Sequence, residues 1–121
     1  MSIRRILIVD DSPTERQALS ELLTKRGYHV LLAESGDEGV EKALNEAPDL
    51  ILMDVVMPGT SGYQATRMIT RSDATRNIPV IMCTSKSQET DKIWGMRQGA
   101  YAYLTKPIDH QQLLAKIATL G

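Results

Sequence analysis

The chain has 121 residues, 42% of them hydrophobic and 24% charged, the balance of one soluble globular domain able to bury a core. Fourteen Lys and Arg against fifteen Asp and Glu leave a net charge of −1, and no basic patch or tail marks a nucleic-acid partner. No apolar stretch approaches the roughly 18 residues that cross a bilayer. The start Met1-Ser2-Ile3-Arg4-Arg5 lacks a signal peptide's apolar segment, and the single Cys83 can form no internal disulfide, so a cytoplasmic location is expected.

Strand-like apolar runs fall at about 5–9, 29–33, 50–54, 78–84 and 101–104, with helical patterns between them. The first helix opens with Ser12 as cap, Pro13 at its first position and Glu15 completing a capping box; Ala18, Leu19, Leu22 and Leu23 form its apolar face, and Gly27 ends it. The second opens at Ser35 with Glu38 in the same spacing, turns Val40, Ala43 and Leu44 inward, and stops before Pro48. The third fits Ser61 and Gln64, with Ala65, Met68 and Ile69 inward. A fourth, about 87–98, begins in a polar run and is weakened by Gly95, although Ile93 and Met96 look inward. The fifth starts at Asp109 and carries Leu113, Leu114, Ile117 and Leu120.

Five strands alternating with five helices predict a parallel sheet covered on both faces, with right-handed crossovers. The whole chain, 1–121, reads as a single domain with no output module. Its strands end in chemistry. Asp10 and Asp11 follow Ile6-Leu7-Ile8-Val9, Asp54 follows Leu50-Ile51-Leu52-Met53, Thr84 ends the fourth run, and Lys106-Pro107 follows the fifth. Open α/β sheets build their sites at the carboxyl ends of strands, and in the flavodoxin-like order 2-1-3-4-5 strands one and three flank the switch point. All three acids would converge there, with Thr84 and Lys106 on one flank.

Two like charges about 4 Å apart repel by roughly 4 kcal/mol at an effective dielectric near 20. Helix capping does not account for Asp10 and Asp11, because Ser12 and Glu15 already supply a cap. Asp54, read alone, is a loop acid before the turn Met57-Pro58-Gly59; Lys106 alone is a solvated lysine and Thr84 a β-branched strand residue. Together they suit a hard divalent ion such as Mg²⁺, which takes one or two carboxylates plus phosphate oxygens. Asp54 can then act as a nucleophile toward phosphorus, with Lys106 and Thr84 binding the phosphoryl oxygens.

The chain resembles the receiver domain of two-component response regulators, through Ile6–Asp11, Leu52-Met53-Asp54-Val55-Val56-Met57-Pro58-Gly59-Thr60-Ser61-Gly62, Pro79–Ser85, Gly99-Ala100 and Lys106-Pro107. The resemblance implies a flavodoxin-like (βα)5 fold with the order 2-1-3-4-5. It also implies that Asp54 accepts a phosphoryl group from a histidine kinase or phosphotransfer domain. Mg²⁺ would be held by Asp10 and Asp11, one of them through water, with Asp54 and the Val56 backbone carbonyl. Thr84 would move toward the phosphoryl group and Tyr103 turn inward behind it. A cis Lys106–Pro107 bond is expected, as is a monomer that signals through its helix 4–strand 5–helix 5 surface. The stretch Gln88–Gly95 and the run Gln98-Gly99-Ala100 are similar to the small stand-alone receivers of pilus-chemotaxis systems that control twitching motility. Ser85 and Gly95 stand where the family often has alanine, and Trp94 where it is usually polar, so Trp94 reads either as core or as partner-facing.

Three other readings are weaker. A haloacid-dehalogenase-like phosphohydrolase needs an acid two residues after its nucleophile, where this chain has Val56. A flavodoxin-like electron carrier would find its flavin phosphate repelled by Asp10 and Asp11. A receiver-shaped binding module that is never phosphorylated would not need the acids, Thr84 and Lys106 together.

Overall fold

The computed structural model describes residues 2–121. Five strands alternate with five helices: β1 Arg5–Val9, α1 Pro13–Lys25, β2 His29–Ala33, α2 Gly36–Glu46, β3 Leu50–Met53, α3 Gly62–Arg71, β4 Val80–Thr84, α4 Glu89–Arg97, β5 Ala102–Thr105 and α5 His110–Ala118. The strands form one parallel sheet in the order β2-β1-β3-β4-β5, the flavodoxin-like arrangement that the sequence implies. Each predicted run is present, with its ends moved by no more than two residues; the fifth lies one residue later, at Ala102–Thr105. The fourth begins at Val80 rather than 78, and the third ends at Met53, which leaves Asp54 just past the strand.

Alternation along the strands divides the core in two. Ile6, Ile8, Leu50, Leu52, Ile81, Cys83 and Leu104 pack with Leu19 and Leu23 of α1 and with Leu113 and Ile117 of α5. Leu7, Val9, Ile51, Met53 and Val80 face Ala43 of α2 and Ala65 and Ile69 of α3. A small third cluster joins Val55, Met82 and Ala100 to the half-buried Tyr63 and Tyr103. Cys83 lies within the first cluster, and burial pushes its thiol up to about 12.

Local chemistry sets the helix ends. Ser12, Ser35, Ser61 and Asp109 each accept a hydrogen bond from the backbone N–H three residues on. The reciprocal half of the capping box exists at Ser61–Gln64 but not at the first two helices. Glu38 instead accepts from Glu34 N–H, and the Ser12 N–H is taken by Asp10 Oδ1 at 2.9 Å. Asp10 therefore does contribute to the start of α1, contrary to the expectation that Ser12 and Glu15 complete it. Gly27 follows α1 at φ 91°, where a side chain would be strained.

Five apolar residues expected inside are exposed: Ala18, Leu44, Met68, Ile93 and Met96. The buried stripes of α2 and α3 run instead through small residues, Gly39, Ala43 and Ala65, which bring each helix close to the sheet. A Cβ on Gly39 would lie 2.8 Å from Val9 Cγ2. At that separation the larger neighbours a quarter-turn away are left facing outward. On α4 only Gly95 is buried. Trp94 is 48% exposed, which removes its reading as a core residue.

Leu52 is the central side chain of the first core cluster and is fully enclosed. Leu52→Ala is expected to lower unfolding free energy by about 2–5 kcal/mol, measured by urea denaturation, with an unchanged slope in denaturant.

Candidate functional site

Register creates the site. Val9 and Met53 are partners across β1 and β3, so the next residues, Asp10 and Asp54, leave the sheet side by side. Asp54 N–H donates to Val9 O at 2.9 Å, and Asp10 N–H to Ala33 O at 3.1 Å, so both acids are held as continuations of the ladder. Carboxylate oxygens of Asp10, Asp11 and Asp54 lie within 4.8 Å of one another. Asp10 and Asp54 are buried and Asp11 is exposed, so the cluster has a closed floor and an open rim. Close approach also shapes the loop that follows. A Cβ on Gly62 would fall 1.9 Å from Asp54 O, so only glycine lets α3 begin against that peptide.

Lys106 enters from the end of β5. Its Nζ is 2.9 Å from Asp10 Oδ2, 3.7 Å from Asp54 Oδ2 and 3.9 Å from Glu15 Oε2. Burial alone would lower the ammonium pKa; the Asp10 hydrogen bond and the Asp54 charge outweigh it, and the net shift is upward. The lysine stays charged. One cation among the acids offsets part of their repulsion but leaves net negative charge around Asp54. Burial first, and the Asp10 charge second, raise Asp54 to about 6, against the pull of Lys106 and of the Val55 and Val56 N–H groups. Asp54 Oδ1 accepts from Val55 N–H at 2.8 Å, so Oδ2 is the oxygen turned toward Lys106.

Thr84 ends β4 with its side chain fully buried. Its Oγ1 accepts from Lys86 N–H at 3.3 Å, and its carbonyl accepts from Lys106 N–H at 2.8 Å. Thus β4 and β5 carry Thr84 and Lys106 in one ladder. Tyr103, register partner of Met82, is half-buried, and its hydroxyl donates to Lys86 O at 2.7 Å. Burial, then the neighbouring Tyr63, pushes its phenol above the ordinary range. The Lys106–Pro107 bond is cis. The side chain of Val56 is exposed.

Two residues were not anticipated. Arg16 Nη1 donates to Asp10 O at 2.6 Å while Nη2 pairs with Glu34 at 3.1 Å, so Arg16 fixes the Asp10 peptide from α1. Glu15, read only as a cap, extends the acid ring to Lys106. Their signal was their place in the first turn of α1, the turn that faces whatever the Asp10 loop holds.

Because folding raises the Asp54 pKa, the native state keeps this proton at pH values where the unfolded chain releases it. Stability is therefore lost as pH rises from about 4 to about 6. In metal-free buffer at pH 7, Asp54→Asn is expected to stabilise the fold by about 1–3 kcal/mol. The gain should shrink toward pH 4; thermal melts of both proteins across that range measure it.

Comparison with known proteins agrees with this geometry. The response regulator receiver domain family matches residues 6–118. PilH of Pseudomonas aeruginosa is 58% identical over 113 residues, 93% of each chain. Other curated relatives are longer: PhoB of the same organism is 40% identical over 94% of this chain, which spans 50% of its length. Among solved structures, the chemotaxis protein CheY4 of Vibrio cholerae superposes with a TM-score of 0.91 at 30% identity, covering 99% of this chain and all of its own. The receiver domain of a sensor histidine kinase from Pseudomonas aeruginosa gives 0.89 at 30% identity, with 98% of both chains covered, and carries a magnesium ion coordinated in its active site cleft. With its β2-β1-β3-β4-β5 sheet and its acids at the switch point, the chain belongs to the response regulator receiver domain family.

Proposed function

We propose that this receiver is the phosphoacceptor of a two-component pathway, with Asp54 taking a phosphoryl group from a phosphohistidine on a histidine kinase or phosphotransfer domain. The observation that carries the reading is the meeting of three carboxylates within 4.8 Å beside the Lys106 ammonium. Such a donor set fits Mg²⁺, which prefers hard oxygen ligands. Asp10, Asp11, Asp54 and the Val56 carbonyl would hold it. When bound, the ion supplies charge neutralisation for the phosphoryl oxygens.

The chain's own groups divide the remaining work. Asp54 Oδ2, free of the Val55 N–H, attacks phosphorus; the P–N bond breaks and its electron pair returns to the imidazole. Lys106 pairs with a phosphoryl oxygen, and the Thr84 hydroxyl, held only by a long bond from Lys86 N–H, is free to turn and donate to another. Val56 has no side-chain proton donor or acceptor, so position 56 supplies no general acid–base group to the acyl phosphate. The domain thus catalyses only its own phosphorylation and dephosphorylation, which is not steady turnover of a substrate.

The similarity to PilH, across 93% of both chains, supports a stand-alone receiver in pilus-chemotaxis signalling. Output then leaves by docking on a downstream protein or by draining phosphate from a shared kinase. Ile93, Trp94 and Met96 on α4 and Tyr101 before β5 are exposed on the α4–β5–α5 side and form the surface for such docking, with the chain acting as a monomer in the cytoplasm.

Incubation with Mg²⁺ and acetyl phosphate should add one phosphoryl group by intact mass. The addition should be absent in Asp54→Ala and after chelation of the metal. An unchanged mass for the parent protein overturns the reading. Lys86, 3.9 Å from Asp91 and beside the site, should tune hydrolysis. Lys86→Ala is expected to change acyl-phosphate decay by about 2- to 10-fold, roughly 0.4–1.4 kcal/mol in barrier, without preventing phosphorylation; decay is followed by mass against time.

A further inference from the structure

Helix α4 is anchored unlike the other four. Its only buried residue is Gly95, and its larger apolar side chains, Ile93, Trp94 and Met96, are exposed. What fills the space under Gly95 is not the sheet backbone but the Tyr103 ring. A Cβ at residue 95 would lie 2.8 Å from Tyr103 Cδ2, 3.0 Å from Tyr103 Cε2 and 2.8 Å from Met82 Sδ. Such separations are too short for carbon. The Met82 thioether is the flexible end of a side chain and can yield. The Tyr103 ring cannot yield without losing its hydrogen bond, because its hydroxyl is committed to Lys86 O at 2.7 Å.

That bond reaches the site through one residue. The Lys86 N–H donates to Thr84 Oγ1, while the Lys86 carbonyl accepts from Tyr103. Residue 86 therefore links the threonine hydroxyl to the tyrosine hydroxyl through its main chain. A second tyrosine helps: Tyr63 on α3 donates to Asp91 O at 3.1 Å and packs in the same cluster with Val55 and Met82. The first turn of α4 and the loop before it are thus held by two phenols on main-chain carbonyls, and the bare Cα of Gly95 leaves room for one of them.

From this we infer that Gly95 is a positioning residue of the switch: having no side chain, it makes the seat that keeps the Tyr103 ring under α4 and its hydroxyl on Lys86 O. Residue type at position 95 then sets how firmly α4, with its exposed apolar face, is tied to Thr84. The inference rests on the phosphoacceptor reading for its functional meaning, but the seat itself is testable without phosphate.

A glycine within a helix is ordinarily less stable than alanine, so helix propensity alone predicts that Gly95→Ala stabilises. The seat predicts the opposite sign in the parent and a reversal once the ring is gone. Gly95→Ala should lower the melting temperature of the parent by about 5 °C, and raise that of Tyr103→Ala by about 2–5 °C. In parallel, the Lys86 carbonyl ¹³C shift in Gly95→Ala should move to its value in Tyr103→Phe, which lacks the hydroxyl. A rise in melting temperature in both backgrounds, or a Lys86 carbonyl shift that stays at the parent value, overturns the seat. Failure of the parent to take up phosphate from acetyl phosphate would instead sink the phosphoacceptor reading, and leaves the thermal cycle to decide the seat on its own.

Discussion

Two buried carboxylates emerging from adjacent parallel strands are an electrostatic burden that the rest of the molecule is arranged to manage. The in-register pairing of β1 with β3 makes Asp10 and Asp54 neighbours, and neither can turn away because their backbone N–H groups extend the ladder. Lys106 is the principal compensation within the chain, and its placement depends on β5 lying beside β4 in the same sheet. Arg16 and the Ser12 N–H attend to the Asp10 peptide and carboxylate. What remains is an excess of negative charge with an open rim at Asp11, which is the condition for attracting a divalent ion and, with it, a phosphoryl group.

Most of this was legible from composition of strand ends. Apolar runs of four or five residues, each followed by an acid, a hydroxyl or a lysine, announce a parallel sheet with a site at its carboxyl edge, and the sheet follows that pattern at Asp10, Asp54, Thr84 and Lys106. The strand order needed the family resemblance, since alternation of strand and helix is compatible with several orders. Inward and outward helix faces were harder. Periodicity places Leu44 and Met68 within the apolar stripe, but it does not weigh the fact that Gly39, Ala43 and Ala65 permit closer approach than a leucine would. The stripe that packs is the one that can come nearest.

The two sheet faces differ in what they can transmit. Parity along β4 and β5 sets Met82 and Tyr103 together on one side, while Cys83 and Leu104 point into the α1–α5 core. The part of that side beneath α4 is lightly packed: three buried residues and two half-buried tyrosines form its cluster, against ten buried residues in the cluster under α2 and α3 on the same side and twelve on the α1–α5 face. Regions that move are drawn from the least stable parts of a structure. A helix fixed by hydrogen bonds to carbonyls, with little apolar burial, can be displaced at small expense, whereas the large clusters keep the acids in place.

Cys83 illustrates how complete that rigidity is. It sits one residue before Thr84, yet its thiol is enclosed and held far from the thiolate form that reacts with oxidants and alkylating reagents. The native protein is in effect protected against thiol chemistry at the doorstep of its own site. Labelling at this position consequently becomes a clock for global opening of the sheet, blind to the smaller excursions of the neighbouring helix.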